Sequence, residues 1–371
     1  MVALNIVIAG GGVVGTSIAY FLAQRDVPVT LVDPNGIAPA ASGKAGGFLA
    51  KDWRDGTPLE EMHRLGFRLH EELANSKDLG GPSTVDYRRL SCAAVAVDEN
   101  AIVKKPPSKK LQGVEWVDKG VIGTVPMGDE ETIAQVHPRK FCQALWEATT
   151  KKVDSKLHQG RIVNAVVDEN ESMKAVELED GEVLPADALV IACGPWTHEA
   201  NNWFDKPRIP LITGVKCHSI LVKSPKVLSQ AVFFQSDGSL GDGDLEVYPR
   251  PDGDCYVNGF PDEMTVVTEP PGEESLDERY LQLLQDAMDQ TTSELGKAHT
   301  EQACYWPETP DGLPLLGEIP GVKGAFVAAG HSVWGINQGP STGKAMAELI
   351  LDGEATSLDI SRFSIDRFYS T

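Results

Sequence analysis

The amino-acid sequence predicts an α/β fold, α+β overall, in which a parallel, helix-flanked domain is interleaved with a mostly antiparallel sheet. Three observations predict it. An apolar run at residues 5–9 ends in glycines and is followed by helical spacing and a second apolar run at 29–33, a strand–helix–strand unit. Residues 210–260 alternate apolar and polar side chains between turn signals, as an antiparallel sheet does. The C-terminal part repeats the first pattern with a strand at 325–329, a glycine turn at 330–339 and a helix at 342–351.

The remaining elements follow in order. Val14, Ile18, Phe21 and Leu22 give residues 13–24 one apolar helical face. Residues 34–56 are rich in glycine and alanine. A helix is expected at 59–73, a strand at 90–97, an exposed loop at 104–110 and an amphipathic helix at 141–152. Strands at 161–167, 175–178 and 188–192 run into the tight turn Cys193-Gly194-Pro195-Trp196, and 276–295 reads as a helix. This order assigns residues 1–56, 139–208 and 300–371 to the parallel domain, and 57–138 and 209–299 to the antiparallel one.

The 371 residues suffice for a sizeable core, and the formal net charge of −21 disfavours nucleic acid and anionic membrane surfaces as partners. Six cysteines (92, 142, 193, 217, 255 and 304) form no C-x-x-C and suggest reduced thiols, hence a cytoplasmic setting. No apolar run is long enough to span a bilayer. A strand starting within five residues of Met1 leaves no space for a cleavable leader.

The glycine clusters carry the chemistry. Gly10-Gly11-Gly12-Val13-Val14-Gly15 matches G-x-G-x-x-G between a strand and a helix, the fingerprint of a Rossmann-like dinucleotide site. Gly10 permits the turn, Gly12 lets backbone approach a pyrophosphate, and Gly15 lets the helix pack on the strand. Asp33, with Pro34 after it, ends the second strand, where a carboxylate accepts ribose hydroxyls and repels a 2′-phosphate. This motif alone does not separate NAD from FAD. Small residues with free N–H groups recur at Ala41-Ser42-Gly43-Lys44-Ala45-Gly46-Gly47-Phe48. A third cluster is Cys193-Gly194-Pro195-Trp196, and a fourth runs from Pro310-Asp311-Gly312 to Gly330-His331.

In their order from residue 5 to residue 351, these segments resemble the FAD-dependent superfamily of D-amino acid oxidase, glycine oxidase and sarcosine oxidase. The resemblance implies a Rossmann-like FAD-binding domain interleaved with an antiparallel-sheet substrate domain. It implies that Gly10, Gly12, Val13, Val14, Gly15, Asp33 and Pro34 hold the ADP part. Ala41, Ser42, Gly43, Lys44, Gly46, Gly47 and Phe48 would lie along the pyrophosphate and flavin, and the backbone of Val163 beside adenine. Cys193, Gly194 and Trp196 would sit near the ribityl chain, with Gly330, His331, Ser332, Gly335, Ile336 and Gln338 opposing the flavin. The implied chemistry is oxidation of a C–N bond in an amine, or in an N-substituted or D-amino acid, with O₂ as acceptor. Two alternatives stand beside it: a dehydrogenase with another acceptor, and a flavin-bearing assembly factor with little turnover. His331 is read equally as a catalytic group and as a turn hydrogen-bonder.

Two departures bear on the substrate. Glycine oxidase-like members carry R-P-x-T-x-D-G-x-P with a carboxylate-gripping Arg, whereas this chain has Trp306 at the head of Trp306-Pro307-Glu308-Thr309-Pro310-Asp311-Gly312-Leu313-Pro314. The family also places a Tyr four residues before a strand Arg. Here that offset from Arg250 gives Glu246, with Tyr248 close by. An aromatic and a carboxylate suit a cation or a neutral amine, unless Lys216, His218 or Arg54 anchors a carboxylate instead. Cys304 stands seven residues before Asp311, where sarcosine oxidase-like members link flavin covalently. FAD is expected to be non-covalent, with a link through Cys304 as the alternative.

Overall fold

The structure is a computed structural model that describes residues 4–98, 114–206, 208–236 and 245–369. The 104–110 loop expected from the sequence lies outside the described residues. A six-stranded sheet runs in the order Leu315–Glu318, Ala325–Ala329, Ala188–Ile191, Ile6–Ala9, Val29–Val32, Lys156–His158. Ile6–Ala9 pairs in parallel with both neighbours, and only the terminal hairpin of Leu315–Glu318 with Ala325–Ala329 is antiparallel. All four residues of Ile6–Ala9 are buried, because apolar clusters pack on both faces of this sheet. The first strand therefore lies centrally, and the glycines after it open at the carboxyl ends of the strands, where ligands of such sheets bind.

The helix Val13–Ala23 packs against a long helix, Gly335–Asp352. Their close approach depends on small residues. A Cβ on Gly343 would stand 2.4 Å from that of Ser17, and one on Gly339 would stand 2.7 Å from Val13 Cγ2. The second helix begins seven residues before the expected start at 342, so the glycine turn ends at Gly335. Pro340 lies inside this helix and removes the N–H that would bond the Ile336 carbonyl. His70 Nε2 occupies that carbonyl instead, at 2.8 Å. Similarly, the expected turn at 193–196 continues as a 3₁₀ run, Gly194–Trp203. The helix expected at 276–295 is the shorter Glu278–Thr291, capped by Asp277, whose carboxylate accepts from the Arg279 N–H.

The second sheet joins Met264–Thr265, Thr213–Lys223, Asp254–Asn258, Leu245–Pro249, Gln230–Ser236, Ser91–Val97 and Val121–Gly128, with Ala298–Glu308 also paired to Thr213–Lys223. It is antiparallel except where Gln230–Ser236 meets Ser91–Val97 in parallel. Residues 300–308 thus belong to this sheet rather than to the parallel domain. The pairing of Ala298–Glu308 with Thr213–Lys223 runs nearly their whole length, and sequence order gave no sign of it. One face packs on Leu281, Leu284 and Met288 of the Glu278–Thr291 helix. The other face looks across to the glycine loops.

Candidate active site

At the carboxyl end of the Ile6–Ala9 strand, Gly10 adopts φ +109°, and a Cβ there would meet the Ala192 carbonyl oxygen at 2.4 Å. The next N–H, of Gly11, donates to Asp33 Oδ2 at 2.8 Å, and Asn35 N–H donates to Oδ1 at 2.9 Å. Burial raises the Asp33 carboxyl above the usual range, against those backbone bonds and the positive charge of Arg161. With a further backbone bond from Gly36, the carboxylate keeps one lone pair for a ligand hydroxyl. The Val13 N–H at the helix start donates to Ser42 Oγ at 2.9 Å, which ties the second glycine cluster to the first. Gly15 serves packing: a Cβ on it would lie 2.0 Å from the Gly10 carbonyl oxygen.

From here a cavity of about 640 Å³ runs between the two sheets. Of the residues singled out from the sequence, Gly10, Gly12, Val13, Val14, Asp33, Pro34, Ala41, Ser42, Gly46, Gly47, Phe48, Cys193, Gly194 and Trp196 line it. So do Gly330, His331, Ser332, Gly335, Ile336, Glu246, Tyr248, Trp306 and Cys304. The cluster of main-chain N–H groups and small residues at one end, with an acid on the neighbouring strand, fits a dinucleotide such as FAD.

Several expectations fall outside that wall. Lys44 turns away to a buried ion pair with Glu274, whose side chain is 0% exposed. Gly43 packs on the Ala38 carbonyl oxygen, and Gln338 is fully buried behind the lining. Val163 is 48% exposed and lies off the cavity, where Gly160, Arg161 and Ile162 form the wall. The alternation of the Ile162–Val167 strand explains this, because Ile162 points inward and the next side chain outward. Lys216 and His218 are also outside. Lys216 pairs with Glu269, and His218 Nε2 accepts from the Asp277 N–H.

The far end is aromatic. Phe48, Trp53, Phe233, Tyr248, Tyr256, Trp306 and Trp334 line it, with Phe48 stacked on Tyr248 at 5.1 Å. Trp53, Phe233, Tyr256 and Trp334 were not singled out from the sequence; they are scattered over four segments that only folding brings together. Tyr248 donates its hydroxyl to Glu246 Oε2 at 2.5 Å, and burial together with that carboxylate holds its phenol well above the usual range. Arg161 is the sole lysine or arginine among the described lining residues, and it acts on Asp33 at the opposite end.

His331 is 4% exposed, and its Nε2 contacts Thr342 Oγ1 at 2.9 Å. Burial pushes its pKa down to about 4, so the ring is neutral at neutral pH. Cys304 faces Cys217 directly across the antiparallel ladder, and both line the cavity. Burial raises both thiols, that of Cys217 to about 12 and that of Cys304 further.

Known proteins agree with this arrangement. A family model described as FAD dependent oxidoreductase matches residues 5–349. A Schizosaccharomyces pombe protein, C1F5.03c, named only as an oxidoreductase, is 34% identical over 96% of both chains. Among solved structures, glycine oxidase from Geobacillus kaustophilus superposes with TM-score 0.76 at 22% identity over 98% of each chain. L-proline dehydrogenase from P. horikoshii superposes with TM-score 0.76 at 20% identity, covering 99% of this chain and 98% of that one. The chain belongs to the DAO family of FAD-dependent oxidoreductases.

Proposed function

We propose that this protein oxidises the C–N bond of an amine or an N-substituted amino acid. FAD bound between the sheets would take a hydride from the carbon next to nitrogen, with O₂ as the acceptor that yields H₂O₂. The observation that carries the substrate reading is the pairing of Glu246 with Tyr248 inside an aromatic wall that has no lysine or arginine among its described residues. A carboxylate among aromatic faces favours an ammonium group and disfavours a bare carboxylate beside it. Trp306 stands where glycine oxidase-like members have their carboxylate-binding Arg, so the α-carboxylate grip is replaced by a flat apolar surface.

The chain's own part is to bind, orient and exclude water. Glu246 draws the cationic amine in and can take its proton at a carboxylate oxygen, which leaves the nitrogen lone pair free. Tyr248 donates to the same carboxylate and fixes its direction. His331, neutral and held on Thr342, fixes the turn that leads into the Gly335–Asp352 helix. That helix start presents its N–H groups towards the flavin end of the cavity, where negative charge would develop. Cys304 acts as wall, and FAD stays non-covalent. This reading is tested by anaerobic bleaching of the protein-bound flavin. Secondary and tertiary amines, with or without a distant carboxylate, should bleach it faster than glycine or D-alanine. Faster bleaching by glycine or D-alanine would overturn the substrate class, and no bleaching by any of these compounds would overturn the reading itself.

A further inference from the structure

The strands Leu245–Pro249 and Asp254–Asn258 lie side by side in the second sheet, and their antiparallel register sets Glu246 directly opposite Asn258. Both residues line the cavity. Two positions along on the same face, Tyr248 stands opposite Tyr256, and their rings are parallel within 1° at 5.9 Å. Gly46, from the second glycine cluster, fits against these rings, since a Cβ on it would stand 2.3 Å from Tyr248 Cδ2 and 2.8 Å from Tyr256 Cδ1. Glu246 and Asn258 are thus one cross-strand pair away from the glycine loop. Arg54, the remaining candidate anchor for a carboxylate, lies off the wall, with its guanidinium carbon 5.5 Å from the centre of the Trp334 ring.

Asn258 Nδ2 donates to Cys217 Sγ at 3.8 Å, and the Cys217 thiol itself donates to the His218 carbonyl at 3.5 Å. The sulfur therefore serves the amide as an acceptor, which sets the amide nitrogen on that side. The other end of the amide, Oδ1, is buried and has no donor. Among the described residues that line the cavity, no other buried side-chain nitrogen or oxygen is left without a partner. Native proteins rarely leave such an acceptor unmet, and in a cavity wall it marks where a ligand's donor arrives.

We propose that Asn258 Oδ1 is the second acceptor for the substrate nitrogen, and that it selects amines by the number of N–H groups they carry. This rests on the amine reading above and deepens it. Two N–H···O bonds from one tetrahedral nitrogen need acceptors roughly 4.5 Å apart. Side chains directly opposite on an antiparallel pair start from Cβ atoms about 4.5–5.5 Å apart. The terminal torsion of an asparagine is broad, so its oxygen turns to the cavity at little cost. Glu246 takes one N–H of the cation and then its proton. Asn258, being uncharged, does not compete for that proton; it keeps hold of an N–H that remains on the neutral nitrogen. A primary or secondary amine satisfies both acceptors. A tertiary amine gives its single N–H to Glu246 and leaves Oδ1 unmet.

The test uses the FAD-loaded full chain and two unreactive cations of nearly equal size, tert-butylammonium and tetramethylammonium. The first offers three N–H groups and has no hydrogen on the carbon beside nitrogen; the second offers no N–H. Each is titrated by its perturbation of the flavin absorbance. Wild type should bind tert-butylammonium the more tightly. Asn258→Leu keeps the side chain's approximate volume and removes the acceptor. It should weaken tert-butylammonium by about 10-fold, the low end for a hydrogen bond to a charged group, and leave tetramethylammonium within about twofold. Asn258→Asp keeps an oxygen there and should restore the preference for tert-butylammonium, which a merely structural Asn258 would not show. Equal binding of the two cations by wild type, binding of neither, or equal weakening of both in Asn258→Leu would overturn the proposal. Selective loss of tert-butylammonium in a protein whose flavin no amine bleaches would support the second acceptor and sink the amine reading, so the two fail separately.

Discussion

Tyr248 and Glu246 stand two residues apart on one strand, so both face the cavity, and the phenol donates to the carboxylate at 2.5 Å. Burial, and then the neighbouring carboxylate, hold the Tyr248 phenol well above its usual range, so the phenol is the donor in this bond. Glu246→Gln keeps the shape and removes the charge. It should raise the dissociation constant of a cationic amine by roughly 30-fold or more, about 2 kcal/mol, the lower range for breaking a buried charge pair. Tyr248→Phe should have a smaller effect on binding, because the charge remains. Equilibrium titration of flavin absorbance checks both; equal effects of the two variants would mean that the hydrogen bond, not the charge, matters.

Asp33 accepts one main-chain hydrogen bond from Gly11 in the first glycine loop and one from Asn35 in its own following turn, and it lines the cavity as well. Asp33→Ala removes an acceptor from two N–H groups, each worth roughly 1–3 kcal/mol when left unsatisfied. The variant should lose FAD on gel filtration and melt lower even as apoprotein. Asp33→Asn keeps one acceptor oxygen and should fall between. An apoprotein that melts like wild type would show that the loop does not need Asp33.

The dinucleotide end was legible because its constraints are local. The Gly10 turn, the Gly15 contact and the position of Asp33 all follow from spacing along one strand–helix–strand unit. The far end was not. Trp306 and Glu246 could be flagged from fixed offsets, but Trp53, Phe233 and Trp334 come from three separate segments and meet only through sheet pairing and packing. The Val163 side chain points to solvent by a single step of the two-residue strand period, which leaves its backbone next to Ile162 in the wall. The partner of the Lys44 ammonium, Glu274, lies 230 residues away and could not be read from the local sequence.

That ion pair carries its own consequence. The Glu274 side chain is wholly buried and also accepts from the Gly272 N–H, so removing Lys44 strands a buried charge. Lys44→Met should destabilise the apoprotein by roughly 3–5 kcal/mol, the cost of breaking a buried pair from one side. Replacing both partners, Lys44→Met with Glu274→Leu, should recover much of the loss. Urea melts of the apoprotein give the answer. Unchanged stability with weakened FAD binding would restore Lys44 to the cofactor site.

Cys304 bears on how the cofactor is held. A thiolate is the nucleophile in any covalent link, and burial beside Cys217 keeps Cys304 protonated. Denaturing the yellow protein should therefore release all of its FAD into the supernatant. Cys304→Ser should keep the wild-type flavin content. Colour that stays with the denatured wild-type chain, and is lost in Cys304→Ser, would establish the link.

Buried histidines set the acid limit of stability. His63, His70, His137 and His331 are all pushed down to about 4, chiefly by burial, against 6.5 for a free ring. Below pH 6.5 the unfolded chain therefore takes up protons that the folded chain refuses until about pH 4. Their contribution is complete above pH 6.5 and is lost as pH falls towards 4, at about 1.4 kcal/mol per pH unit for each histidine. Urea melts between pH 7.5 and 4.5 should show stability level above 6.5 and falling below it. His70→Gln can keep a donor for the Ile336 carbonyl while removing one titration, and it should make that fall shallower. A slope as steep in His70→Gln as in wild type would place the acid sensitivity elsewhere.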